Sequence, residues 1–309
     1  MKVFSAFFKL IRWPNLLFIA LTQMLFRYFI LRFVYMNSSG SYENIKLSLP
    51  LFYLLVFASV CIAAAGYIIN DYFDVNIDIV NKPSKLIIDR YIKRRWAIVL
   101  HIVFSFTGFV ISCYVGYKLR NLYIPVFNLL AIAALWFYST TFKKKLLIGN
   151  VLISLLTAWV IVVLTISEYR FQIMPDDIYW KRLIKLSFIY AGFAFIISLI
   201  REVIKDMEDM PGDAKYGCTT MPIVWGIQVS KVFVAVWLVV IIAAVAGIQI
   251  YVIHLGWWFS ALYSLLTIII PLIWALGKLY AAHSSKDFHQ LSTIIKLIMF
   301  TGILSMIFF

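Results

Sequence analysis

Nine long apolar stretches, each close to the length of a membrane-spanning helix, constrain this 309-residue chain more than any other feature. One α-helix needs about 20 consecutive apolar residues to cross the hydrocarbon core of a bilayer. The stretches lack the short apolar–polar alternation that is typical of transmembrane β-strands. We therefore predict an all-α polytopic membrane protein, with one transmembrane domain over residues 1–309. The predicted spans cover 15–35, 48–70, 96–117, 122–138, 147–166, 183–201, 229–250, 256–276 and 291–309.

The net charge of +14 would suit a nucleic-acid-binding protein, but hydrophobic residues make up 63% of this sequence. Soluble domains contain about 45–50%. In so apolar a chain, lysine and arginine typically mark cytoplasmic loops and phosphate sites, so we expect no nucleic-acid partner. The three cysteines, Cys61, Cys113 and Cys218, show no pairing pattern, and we expect free thiols.

The distribution of lysine and arginine predicts the orientation in the membrane. With the N-terminus inside, eighteen of these residues lie in inner segments and seven in outer segments. The positive-inside rule then places the N-terminus and the loops at 79–95 and 202–228 in the cytoplasm. Residues 1–13 combine apolar residues at helical spacing with basic residues, which predicts a short interfacial helix. The expected location is the inner or plasma membrane of the cell.

Two short acidic segments interrupt this apolar chain. Their aspartates have the same spacing and are Asp71, Asp74 and Asp78 in the first segment and Asp206, Asp209 and Asp213 in the second. Spacings of three and seven residues place side chains within about 60° of one another on an α-helix. Like charges in one stripe repel unless a cation neutralises them. Because oxygen-only ligands favour a hard ion, the segments predict Mg²⁺ sites.

The acidic segments recur 135 residues apart, at the ends of predicted spans two and six. One such triad alone is commonly a solvated or capped helix end. Its repetition four spans later predicts two parallel four-helix repeats plus one extra helix around a central cavity. In such repeats the shared site lies between the halves, so we expect the two segments to face each other.

Basic residues accompany both acidic segments, and together they predict a site for a diphosphate held through Mg²⁺. The candidates for direct contact with the diphosphate are Lys82, Lys85, Lys143, Arg201 and Lys205. Within an apolar helical bundle, the expected diphosphate is a lipid such as a polyprenyl diphosphate. Ionisation of its allylic C–O bond requires stabilisation of the leaving group and π-faces near the cation. The aromatic candidates are Tyr67, Phe73, Trp136, Phe137 and Tyr138.

The same residues resemble the UbiA superfamily of intramembrane prenyltransferases. The resemblance rests on Asn70 with the first three aspartates, the basic loop Asn81-Lys82-Pro83, Tyr138-Ser139 with Lys143, Gly149-Asn150, and the second acidic segment. Nine spans and the four-span offset between the motifs also match, so the resemblance covers nearly the whole chain.

The resemblance implies a role for each matching residue. Asn70, Asp71, Asp74 and Asp78 would hold one Mg²⁺, and Asp206, Asp209 and Asp213 the other, with Asp71, Asp74, Asp206 and Asp209 as catalytic residues. Lys82, Lys143 and Arg201 would contact the diphosphate, and Tyr138 would lie near the reacting carbon. The residues from Arg201 to Asp213, followed by Thr220-Met221-Pro222, are most similar to the archaeal-type ether-lipid branch. That branch transfers a geranylgeranyl group to geranylgeranylglycerol phosphate.

Two alternatives stay open at this point, and a third lacks the sequence pattern that it requires. The acceptor could be an aromatic acid of quinone biosynthesis, within the same family. An ion-coupled transporter would also use acidic residues in membrane helices, although it would carry them at the midplane. A CDP-alcohol phosphotransferase would show a Gly/Ala-Arg pattern before the distal aspartates, and this sequence has none there.

Pro211 lies within the second acidic segment and affects where its helix is predicted to end. Proline removes a helical N–H and clashes with the preceding turn, so we expect the helix to end before Asp213. Either Asp213 or Glu208, which directly precedes Asp209, would then complete the second metal site.

Overall fold

A computed structural model of the protein describes residues 2–36, 45–81, 86–169 and 177–309. Within these ranges the chain is almost wholly helical and has nine helices long and apolar enough to cross a membrane, which confirms the predicted fold class. Spans one to nine are Trp13–Tyr35, Leu49–Asn81, Arg94–Lys118, Tyr123–Thr140, Ile148–Glu168, Ile178–Lys215, Gly226–His254, Trp258–Ala281 and Ser285–Phe308. The shorter helices are Lys2–Leu10, Phe142–Lys144 and Met221–Val224.

Two spans are interrupted by π-helical turns, at Phe26–Leu31 in span one and at Leu265–Ile269 in span eight. The turn in span eight lies just before Pro271. Because proline lacks an N–H, the carbonyl of Thr267 loses its α-helical partner. The Thr301 hydroxyl of span nine donates to that carbonyl at 2.9 Å, so a neighbouring span satisfies the break.

Spans two and six are much longer than the sequence predicts. Span six has 38 residues, which at 1.5 Å per residue reaches about 57 Å, against about 30 Å for a bilayer core. The expectation that 202–215 forms part of a loop is therefore wrong, because the helix continues well past the last apolar residues. Both acidic segments lie on these helical extensions.

The expected break at Pro211 is also wrong, since the helix continues through Pro211 to Lys215. Pro211 is exposed, so its ring lies on the outer side of the helix, and only one hydrogen bond near the helix end is lost. One to two turns earlier on the helix, Met207, Ile204 and Val203 are buried in a hydrophobic cluster that holds the helix in place. Asp213 thus stays within the helix and is buried.

The chain divides into two compact units. The first contains residues 1–142 and 159–189. Its core joins Ala6 and Leu10 of the N-terminal helix to Ile68 and Val75 of span two, and to the loop residues Ile88 and Ile92. This packing fixes the positions of the loop residues Ile88 and Ile92.

A buried charged pair lies elsewhere in the first unit. Glu168, at the end of span five, accepts hydrogen bonds from the backbone N–H groups of Lys46 at 2.8 Å and Leu47 at 3.1 Å. Arg27 of span one lies 3.8 Å from the same carboxylate, and both side chains are more than nine-tenths buried. Glu168 therefore holds the start of span two against spans one and five.

The second unit contains residues 143–158 and 190–309. Its core is a single hydrophobic cluster around Ile200 and Val203 of span six, Leu238 of span seven, Leu272 of span eight and Phe288 of span nine. None of the three cysteines, all of which lie in the described ranges, forms a disulfide, as predicted, and Cys61 and Cys218 are buried.

Candidate active site

The first acidic segment is tied to the N-terminal region through Asp71. Nη2 of Arg12 lies 2.7 Å from Oδ1 of Asp71, and the guanidinium sits over the ring of Tyr67 at 5.1 Å from its centre. Burial lowers the pKa of Arg12, but Asp71, Tyr67 and Asp74 together raise it by more, so the net shift is upward. Arg12 links the N-terminal helix to span one with a left-handed backbone conformation (φ 51°), uncommon for a residue other than glycine. The turn at Arg12 thus brings a permanent cation to Asp71.

Asp74 is held by a residue one turn earlier on the same helix. Nδ2 of Asn70 donates to Oδ2 of Asp74 at 2.7 Å, and Asp74 is only 4% exposed. Oδ1 of Asn70 is buried and has no hydrogen-bond partner. Because buried acceptors are nearly always paired, an unpartnered oxygen such as this one is a candidate ligand for a metal ion.

Asp71 and Asp78 line one small hollow of about 10 Å³ beneath the loop residues Leu86, Ile87 and Ile88. The hollow is no larger than one water molecule or one ion. Two of the three aspartates in the first segment therefore share a space, while Asp74 lies with Asn70. Lys82 and Lys85, predicted to contact the diphosphate, fall outside the described residues.

The second acidic segment is anchored by span five. Nδ2 of Asn150 donates to Oδ2 of Asp206 at 2.8 Å, and Asn150 is 8% exposed. Asp209 and Asp213 follow on the same helix, and because the helix is unbroken, their spacing keeps them on the face of Asp206.

Glu208 faces a different neighbour. Its Oε1 lies 2.9 Å from Nδ1 of His289 in span nine, and its backbone carbonyl accepts a hydrogen bond from the Ser285 hydroxyl. Residues two apart on a helix point to nearly opposite sides. Glu208 therefore ties the second acidic segment to span nine, and it is not beside Asp206.

The basic residues of the second segment are held by one carboxylate. Glu202 accepts from Nζ of Lys205 at 3.0 Å and from Nη1 of Arg201 at 3.2 Å. Nε of Arg201 is buried and has no partner. Two of the predicted diphosphate ligands are thus side by side, and one of them has an unused donor. Lys143 and Tyr138 are half-buried, Lys143 in the second unit and Tyr138 in the first.

Metal binding can be judged from these donors. Among the described residues, no three acidic, histidine or cysteine side chains are close enough together to form a metal site. Mg²⁺ usually takes one or two carboxylates and completes its six oxygens with water and substrate phosphates. The acidic segments fit that pattern: their donors are oxygens, two carboxylates share a hollow, and Oδ1 of Asn70 is unpartnered.

Comparison with known proteins gives the family. The model of the UbiA prenyltransferase family matches residues 13–302, nearly the whole chain. The protein belongs to the UbiA prenyltransferase family. As a member of that family it is a transferase of prenyl groups and an integral, multi-pass membrane protein.

Curated relatives within the UbiA family share about a third of their aligned residues with this chain. Digeranylgeranylglyceryl phosphate synthase of Methanothermobacter thermautotrophicus is 34% identical over 64% of this chain and 63% of its own length, slightly under two thirds. The synthase of Methanobrevibacter smithii is 31% identical over 75% of this chain and 77% of its own length.

Solved structures of the UbiA fold match almost the entire chain. A structure of a digeranylgeranylglyceryl phosphate synthase covers 99% of this chain and 98% of its own, with a TM-score of 0.63 and 23% identity. A UbiA homologue from Archaeoglobus fulgidus bound to DMAPP and Mg²⁺ covers 97% of this chain and 98% of its own, with a TM-score of 0.54 and 14% identity. Divalent metal thus occurs in structural relatives of this UbiA chain.

The site contains residues whose roles the sequence did not indicate. Arg12 and Asn150 contact Asp71 and Asp206, which lie 59 and 56 residues away in the sequence. Glu202 had no predicted role, although its spacing from Lys205 suits a helical ion pair. The three-residue spacing of Glu202 and Lys205 is the sequence signal that could have predicted this ion pair.

Proposed function

We propose that this protein transfers a geranylgeranyl group from geranylgeranyl diphosphate to geranylgeranylglycerol phosphate within the membrane. The observation that carries the proposal is the similarity to two digeranylgeranylglyceryl phosphate synthases at 31% and 34% identity. In the reaction, the allylic C–O bond breaks and its electron pair leaves with the diphosphate. The acceptor hydroxyl oxygen forms the new ether bond, and its proton is released.

Each acidic segment has its own part in the proposal. Asp71, Asp74 and Asp78, with Asn70, bind one metal ion, and Asp206, Asp209 and Asp213 bind a second. Asp213 is preferred over Glu208 because the Glu208 side chain contacts His289. When bound, Mg²⁺ supplies the positive charge that a departing diphosphate requires.

The basic residues hold the diphosphate. Arg201 has a buried Nε without a partner, and Lys205 shares Glu202 with it. A phosphate oxygen would satisfy that nitrogen with a charge-assisted hydrogen bond. Lys82, Lys85 and Lys143 are proposed as further diphosphate-binding residues, and Tyr138 as the residue near the reacting carbon. The positive-inside rule supports a cytoplasmic N-terminus and a cytoplasmic active site.

The test is prenyl transfer by purified protein in detergent. Labelled geranylgeranyl diphosphate is offered with Mg²⁺ or EDTA, together with geranylgeranylglycerol phosphate or an aromatic acid as the acceptor. Product with the glycerol acceptor that requires Mg²⁺ is the expected result. Product only with the aromatic acid would contradict the proposed acceptor while keeping the transferase activity. No product with either would contradict the proposal.

A further inference from the structure

Thr220 carries a buried hydroxyl group that the protein itself does not use. The residue is 3% exposed, and its Oγ1 has no hydrogen-bond partner. Thr220 precedes the short helix Met221–Val224, a position where a threonine hydroxyl normally accepts a backbone N–H. Here the Thr220 carbonyl accepts the N–H groups of Ile223 and Val224, both at 3.1 Å, and the side chain makes no cap.

The backbone around Thr220 is fixed at three neighbouring residues. The Cys218 N–H donates to the Asp213 carbonyl at 3.0 Å, which ties the segment to the end of the second acidic helix. Thr219 donates to the Lys144 carbonyl through its N–H at 2.7 Å and its hydroxyl at 2.9 Å. Met221 is fully buried in the core of the second unit. Thr220 is thus held in place between the second acidic segment and Lys144.

A buried hydroxyl without a partner in such a fixed position is suited to bind a ligand, since buried polar groups are nearly always hydrogen-bonded. Three buried side-chain atoms without a partner lie in the described part of the second unit, on Arg201, Thr220 and Gln249. Two of them, Nε of Arg201 and Oγ1 of Thr220, can donate a hydrogen bond. The Thr220 hydroxyl, beside Lys144 and the second acidic segment, suits a phosphate oxygen.

We infer that the Thr220 hydroxyl donates a hydrogen bond to a phosphate oxygen of a bound substrate. This inference rests on the proposed function, and both substrates carry the required chemistry, as a diphosphate or as a phosphate monoester. Thr220 is a binding residue and moves no proton in the reaction. It acts by aligning the anionic group that it contacts.

The test compares Thr220→Val, which removes the hydroxyl at nearly constant shape, with Thr220→Ser, which keeps it. Without ligand, Thr220→Val should melt at the wild-type temperature or higher, because it removes an unsatisfied polar group. Its affinity for a phosphate-bearing substrate should fall about tenfold or more, while Thr220→Ser should restore most of the affinity. Thr157→Val is the matched control, because the Thr157 hydroxyl is already paired with Ser198 and Ile153.

Two measurements identify which substrate carries the phosphate group that Thr220 contacts. Weaker binding of inorganic pyrophosphate with Mg²⁺ assigns the contact to the diphosphate. Unchanged pyrophosphate binding with a higher KM for geranylgeranylglycerol phosphate assigns it to the acceptor.

Three results would overturn the inference. Unchanged affinity and KM for both substrates in Thr220→Val would mean that the hydroxyl binds at most an ordered water. A lower melting temperature without ligand and unchanged affinity would assign it a structural role. In both cases wild-type transfer would leave the proposed function intact. A wild-type protein that neither transfers a prenyl group nor binds pyrophosphate would overturn both.

Discussion

Asn150 of span five donates a hydrogen bond from Nδ2 to Oδ2 of Asp206 in span six, at 2.8 Å. In the first acidic segment, Asn70 makes the same kind of bond to Asp74 at 2.7 Å. In each unit a carboxamide fixes the orientation of one aspartate. Outer-sphere partners of this kind orient metal ligands.

Replacing Asn150 with leucine should therefore weaken catalysis without unfolding the protein. Loss of an orienting hydrogen bond to a metal ligand typically lowers metal affinity or activity by about 10–100-fold. We expect a fall of that size in kcat/KM, with a higher Mg²⁺ concentration for half-maximal rate. Asn128→Leu is the control, because Asn128 is equally buried but bonds Ser112 and Trp159. A normal Mg²⁺ requirement in Asn150→Leu would contradict this role.

Mg²⁺ and pyrophosphate should stabilise the protein together and only weakly alone. Mg²⁺ usually takes only one or two carboxylates and completes its six oxygens with water and substrate phosphates, so we expect the substrate to supply part of the coordination. Thermal unfolding in detergent should show a small shift with either ligand and a large shift with both, since tighter binding raises the melting temperature. A full shift with Mg²⁺ alone would indicate a preformed metal site and contradict this prediction.

Glu168→Ala should destabilise the first unit. The change leaves the buried Arg27 without its counter-charge and the N–H groups of Lys46 and Leu47 without an acceptor. Breaking a buried ion pair in this way costs about 3–5 kcal/mol.

The matched control for Glu168→Ala is Arg94→Ala. It breaks an exposed pair with Asp89 and should cost no more than about 1 kcal/mol. Thermal unfolding of both variants in the same detergent measures the difference. Equal melting temperatures would contradict a stabilising role for Glu168.

The nine spans were predictable from sequence because apolar length is a local property. The ends of spans two and six were not, since their helices continue with polar residues that resemble a loop in sequence. The prediction that the helix ends near Pro211 was wrong for a related reason: the packing of Met207 and its neighbours outweighs the hydrogen bond that proline removes. The aspartate spacing identified both acidic segments. Their partners Arg12 and Asn150 are distant in sequence, so only the fold reveals them.

The most direct test of the account is the initial rate of Mg²⁺-dependent prenyl transfer in Asp71→Asn and Asp206→Asn. Asparagine keeps the size of the side chain and removes the charge that binds the metal. Asp177→Asn is the control, because the Asp177 side chain accepts the N–H groups of Tyr179 and Trp180, and asparagine can do the same. The account predicts near loss of turnover in the first two variants, with an unchanged helical fold, and normal turnover in the control. Near-wild-type turnover in either acidic-segment variant would contradict it.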